Sequence, residues 1–130
     1  MDSLLDDLIA DAAKLRSVDF IINGKMNTVY YKLLTGKTYD TIKTLSKKKK
    51  LVEGVEIEYV DEDVLRVQTI MRQTLNKDGT PVFTIGDDTK LAKIAYDTQC
   101  YLASVMGLKS ISDIIEDTKE ALKKTLSQEL

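Results

Sequence analysis

The sequence predicts an α+β fold, mainly α: a small antiparallel β-hairpin or sheet in the first half, with about four to five helices packed against it. Three observations predict it. Apolar residues recur at three- and four-residue spacing in several long stretches, which is the period of an amphipathic helix. A run rich in β-branched and aromatic residues, "VDFIINGKMNTVYYKLL", carries Asn23-Gly24 at its middle, and Asn-Gly accepts the positive φ values of a two-residue hairpin turn. "VEIEYV" at 55–60 alternates apolar and charged residues, as a half-buried strand does.

Taken in order, residues 2–16 read as a helix whose Leu4, Leu5, Leu8, Ile9, Ala12 and Leu15 share a stripe, with Asp2 or Ser3 available to cap it. Strands come next, near 17–22 and 26–33. A short helix from about Thr38 turns Tyr39, Ile42 and Leu45 inward, and "SKKKKLVEG" reads as a charged connector. The strand at 55–60 is expected to pair with the hairpin. "DEDVLRVQTIMRQTL" is a helix with three acids at its start, where the dipole favours them, and Val64, Val67, Met71 and Leu75 in a stripe. Asn76 to Gly79 form a tight turn, Pro81 stiffens its exit, Val82 and Phe83 plug apolar sites, and Thr84 or Asp87 caps the next helix.

Residues 88–106 give the longest predicted helix, with Leu91, Ile94, Ala95, Thr98, Tyr101, Leu102 and Val105 on one face, ended by Gly107. Ser110 and Asp113 resemble a capping box that opens a last helix with Ile111, Ile114, Ile115, Thr118, Leu122 and Leu126 inward. The 130 residues suit one domain, 1–130, with a β-containing part at about 17–60 and a helical part at about 61–127.

Composition narrows the function. The chain is 43% hydrophobic and 31% charged, with 19 Lys plus Arg against 21 Asp plus Glu, so no charge excess points to nucleic acid or to a membrane surface. No run of about 18 apolar residues suggests a membrane span. A lone cysteine, Cys100, leaves no intrachain disulfide and fits a reducing cytoplasm, and the acidic start is unlike a secretory or transit peptide. The sequence has no histidine, which removes the usual general base, the His-assisted nucleophiles and the commonest metal ligand. The expectation is therefore a non-enzyme without catalytic, metal or cofactor-binding residues.

The motifs point the same way. Gly36-Lys37-Thr38 hints at a phosphate loop, but the glycine such a loop requires five positions earlier is Tyr31. Asn76, Asp78 and Gly79 hint at a calcium loop, yet an anionic first ligand and a closing glutamate are missing. Asp61-Glu62-Asp63 and Asp87-Asp88 would serve a magnesium-dependent enzyme if forced together, although both clusters sit where helices begin and acids belong. Lys47 to Lys50 would serve a nucleic-acid-binding regulator, but no aromatic residues interleave them. What remains is apolar helical surface, which first builds a core and then serves self-association or the gripping of another helix.

Two stretches resemble a known family. "TVYYKLLTGKTYDTI" is similar to the early motif of the tail assembly chaperones of long-tailed, lambda-like siphovirus bacteriophages, where a strand ends in a basic-Leu-Thr turn before a helix. "IMRQTLNKDGTPVFTIGDDTKLAKIAYDTQCYLASVMGL" resembles their later signature: a helix, an acidic-Gly-x-Pro-hydrophobic-Phe turn, then acids and a long helix. The resemblance covers roughly residues 18–45 and 60–107, with "KDGTPVFT" its most specific piece.

It implies a protein of virion morphogenesis that works in the host cytoplasm and is not part of the mature virion. Such chaperones bind the tape measure protein and help recruit tail tube protein, the latter through a longer frameshifted form. Lys123-Lys124-Thr125 is the place where a slippery codon stretch would produce that form. Under this reading the partner-binding residues are expected on the exposed side of the long and final helices, including Tyr96, Tyr101 and Met106, with self-association as a further expectation.

Overall fold

The computed structural model describes residues 3–109, and within them the chain is a small α+β fold. Helix α1 spans Ser3–Ala13, strands β1 and β2 span Arg16–Ile22 and Lys25–Tyr31, and helix α2 spans Gly36–Leu45. Strands β3 (Lys47–Val52) and β4 (Val55–Val60) come next, then helix α3 (Glu62–Gln73), the two-residue strand β5 (Thr74–Leu75), and helices α4 (Asp88–Leu91) and α5 (Tyr96–Val105). The helix expected from Ser110 lies outside the described residues.

The first hairpin forms as the sequence predicts. Asn23 and Gly24 take φ values of 52° and 76°, the left-handed pair of a type I′ turn, and the register runs from Ile22 opposite Lys25 to Arg16 opposite Tyr31. One face of this hairpin, through Val18, Phe20, Val29 and Tyr31, packs on a core built by Val67 and Ile70 of α3, Leu91 of α4, and Leu102, Ala103 and Met106 at α5. Helix α3 is central. Asp61 caps it, its carboxylate accepting from the Asp63 and Val64 amides, and its inward face meets α2, α4 and α5.

Four expectations need correction. The third strand of the hairpin sheet is β5 rather than residues 55–60, and it pairs with β2 through Tyr30–Leu75 and Tyr31–Thr74. Residues 55–60 are a strand, but their partner is the lysine run itself: Lys47–Val52 is β3 of a separate two-stranded sheet, not a connector. Glu53-Gly54, with φ of 52° and 80°, makes the same turn as Asn23-Gly24, and glutamate is a poor sequence signal for it. Cross-strand acids offset the lysine charge: Lys47 lies 3.5 Å from Glu58 and Lys49 3.4 Å from Glu56.

The long helix predicted over 88–106 is broken into α4 and α5 at residues 92–95. Periodicity does not register the reason, which is a buried amide. Gln99, only 4% exposed, donates to the carbonyls of Leu91 (3.2 Å), Ala92 (3.4 Å) and Ile94 (2.8 Å), while its oxygen accepts from Arg66 Nε at 3.0 Å. A polar side chain thus ties together the carbonyls of a helix end inside the fold, beside the Ile94 amide that also donates to Leu91 at 3.1 Å. Leu45, expected inward, is exposed, because α2 buries Ile42 and Ser46 instead.

Candidate protein-binding groove

A cleft of about 640 Å³ opens between α1, the β2–α2 link and the end of α3. Leu8, Ile9, Ala12 and Ala13 of α1 form one wall, Leu33 and the start of α2 the other, and Gln73 and Leu75 lie with them. A second cleft of about 430 Å³ is lined by Met71, Pro81, Phe83 and Ile85. Thr38, Arg72 and Gln73 line both, so the two are arms of one groove that passes over the C-terminal end of α3. Lys32 and Arg72 are its cations.

Local chemistry holds each wall. Gln73 is buried and donates to the Lys32 carbonyl at 2.8 Å, fixing the β2–α2 link to α3. Thr35 caps α2, its hydroxyl accepting from the Thr38 amide at 3.2 Å, so Gly36-Lys37-Thr38 is the first turn of a helix. At the other arm, the Asn76 amide donates to the Thr80 carbonyl at 2.7 Å, and the Asp78 carboxylate accepts from the Thr80 amide and hydroxyl. Those bonds hold the Asp78 carboxyl below its ordinary value.

This turn bridges Leu75 to Pro81 and sends the chain along the groove rim. Phe83 packs on the core as expected, whereas Val82 is exposed and Ile85 is fully exposed at the rim. The Asp87 carboxylate accepts from the Thr84 amide at 2.8 Å and closes the turn before α4, but neither Thr84 nor Asp87 caps the helix with its side chain, contrary to expectation.

Helix α1 supplies the least expected feature. Its stripe exists, but none of it is buried: Leu4, Leu5, Leu8 and Ile9 are 70%, 56%, 60% and 59% exposed. An 11-residue helix is marginal in water by itself, so a stripe that leaves four aliphatic residues exposed beside half-buried Ala12 and Leu15 is apolar surface open to a partner.

Of the residues expected to meet a partner, Tyr96 and Tyr101 are exposed on α5, away from the groove. Tyr96 lies under the Arg66 guanidinium, 4.7 Å from ring centroid to Cζ, and hydrogen bonding with Cys100 raises its hydroxyl above the ordinary value. Met106 does not belong with them. It is 0% exposed, its carbonyl accepts from the Leu34 amide at 2.8 Å, and its sulfur faces the Thr74 hydroxyl. The expected exposure of Met106 assumes one straight helix; with the helix broken, the inward face is Gln99, Leu102, Ala103 and Met106.

The acids are engaged locally. Asp61 caps α3 and pairs with Lys48 at 2.5 Å, which lowers the aspartate and raises the lysine relative to their ordinary values; the hydrogen bond between them is the main cause of both shifts. Asp63 holds Arg66 at 2.7 Å. Among the described residues no three carboxylate or thiol groups gather in a way that would hold a metal ion, and no helix is long and apolar enough to cross a membrane. No family model, curated protein or solved structure matches the chain.

Sequence reasoning missed the groove because its walls come from four separate segments. Only the α1 stripe and the Pro81–Ile85 run were visible signals.

Proposed function

We propose that the protein is a tail assembly chaperone of a long-tailed bacteriophage. It acts without catalysis in the host cytoplasm, binds the tape measure protein, helps recruit tail tube protein through a longer frameshifted form, and leaves before the virion is complete. The observation that carries this reading is the open apolar groove with uncovered aliphatic rims at α1 and Ile85. A groove of this kind accepts the apolar face of an amphipathic helix, and Lys32 and Arg72 favour acids along the border of that helix. A long helical client repeats such faces, so many weak, releasable contacts give high occupancy together. The sequence resemblance over 18–45 and 60–107 supplies the identity of the client.

The nucleic-acid reading is weakened by the lysines' own partners. Lys47 and Lys49 face Glu58 and Glu56, Lys48 bonds Asp61, and Lys50 sits 5.0 Å over the Tyr59 ring. Co-expression tests the proposal: the chaperone raises the soluble yield of the tape measure protein, and Leu8→Asp with Ile85→Asp abolishes that gain while leaving the fold intact, since neither residue is buried. A client that stays insoluble beside the wild-type chain overturns the proposal.

A further inference from the structure

The groove is open among the described residues, and the chain leaves the described fold beside it. The Leu34 amide donates to the Met106 carbonyl at 2.8 Å, and a methyl group on Gly107 would stand 4.0 Å from Leu33 Cδ2, on a side chain that lines the groove. Leu108 packs on the core, its amide donating to the Ala103 carbonyl at 2.9 Å. The exit from α5 is therefore fixed against the β2–α2 wall, and residues 110–130 begin at the edge of the groove.

Those residues read "SISDIIEDTKEALKKTLSQEL". Ile111, Ile114, Ile115, Thr118, Leu122 and Leu126 fall on one stripe at helical spacing, and a helix from Ile111 to Leu126 is about 23 Å long. The first half of the segment is acidic: Asp113, Glu116 and Asp117 precede its first lysine, Lys119. The groove has the opposite sign. Among the described residues that line it, the charged ones are Lys32 and Arg72, and no acid lines either arm. An apolar stripe with acids thus starts beside an apolar groove with cations.

We propose that the groove of the free chain is occupied by the chain's own C-terminal segment, residues 110–126. Ile111, Ile114, Ile115 and Leu122 face Leu8, Ile9 and Leu33, and Glu116 and Asp117 approach Lys32 and Arg72. A short tether gives the segment an effective concentration on the order of mM, so a few weak apolar contacts suffice. Any amphipathic helix that enters from outside displaces the segment first, and its apparent affinity falls with the fraction of chains that are open. The inference adds regulation to the groove assigned above to a client, yet it concerns the free chain and does not depend on what that client is.

Hydrogen exchange of the purified full chain, without any client, tests it, and its failure leaves the chaperone reading standing. The α1 amides report the cover, because an uncovered 11-residue helix is marginal in water. They exchange at least about tenfold more slowly in the wild type than in Ile114→Glu with Ile115→Glu, while the α3 amides exchange alike in both. The slowing is the same at about 10 μM and about 200 μM protein, as a contact within one chain requires. Lys32→Glu with Arg72→Glu also speeds α1 exchange, and adding Glu116→Lys with Asp117→Lys to the same chain restores slow exchange. Equal α1 exchange in the wild type and the isoleucine variant overturns the proposal. So does a slowing that grows with concentration, which assigns the groove to a second copy, or a charge-swapped chain that stays fast.

Discussion

Replacing Gln99 by leucine keeps the side-chain volume close while removing the side-chain hydrogen bonds that span the break between α4 and α5. The amide has three carbonyl acceptors, those of Leu91, Ala92 and Ile94, and its oxygen serves Arg66. Of these bonds the one to Leu91 is fully buried and the others are partly buried. The Leu91 carbonyl keeps the Ile94 amide at 3.1 Å, so losing its bond to Gln99, like losing each of the partly buried ones, costs about 0.5–1.5 kcal/mol. Arg66 keeps Asp63 at 2.7 Å and so loses little.

The leucine gains some apolar burial, which offsets part of the loss. The expected destabilisation is therefore about 2–3 kcal/mol, or a fall in Tm of about 10 °C for a domain of this size. Urea unfolding monitored by circular dichroism measures it, with the midpoint falling and the slope unchanged. Gln99→Glu does worse near neutral pH, because a carboxylate then faces the three carbonyls. A loss below about 0.5 kcal/mol for the leucine variant would refute the claim that this amide, rather than the surrounding packing, breaks the helix.

Gly107 has φ of 107°, its amide and that of Leu108 return to Ser104 and Ala103, and a methyl group there would stand 3.4 Å from the Leu34 nitrogen. Gly107→Ala should cost about 1–2 kcal/mol in the same unfolding assay, and a neutral result would contradict the tight approach of this helix end to the β2–α2 link. The Asp61–Lys48 pair sets a pH dependence. Asp61 is lowered in the folded state, so its contribution is fully present above the unfolded value of about 3.8 and disappears as pH falls through the folded value. Lys48 is raised, so its contribution holds below about 10.5 and disappears as pH rises through its folded value. Thermal melts of Asp61→Asn should show a flatter acid limb than wild type, and parallel limbs would contradict the assignment.

Local rules made some elements legible from the sequence. Asn-Gly admits positive φ with little strain, so the first hairpin was fixed by two residues. Acids before an apolar stripe suit the start of a helix, so α3 was legible as well, whereas the capping by Asp61 in particular came from the structure. The turn from Asn76 to Gly79 belongs to the same class, since Asp78 bonds within its own segment. These features depend on neighbours a few residues away, and a linear reading sees such neighbours.

What the tertiary structure decided involves partners distant in sequence. Gln99 ties the break in a periodic run while its oxygen accepts from Arg66, thirty-three residues away, and Met106 is buried where it meets Leu34 and Thr74, both distant in sequence. The lysine run became a strand once Glu56 and Glu58 stood across from it to offset its charge. Helix α1 shows the limit most plainly: its stripe specifies a helix, but which surface covers that stripe is a property of whatever packs against it. Periodicity records that a face is apolar, whereas burial is settled by the energy of a particular contact in three dimensions.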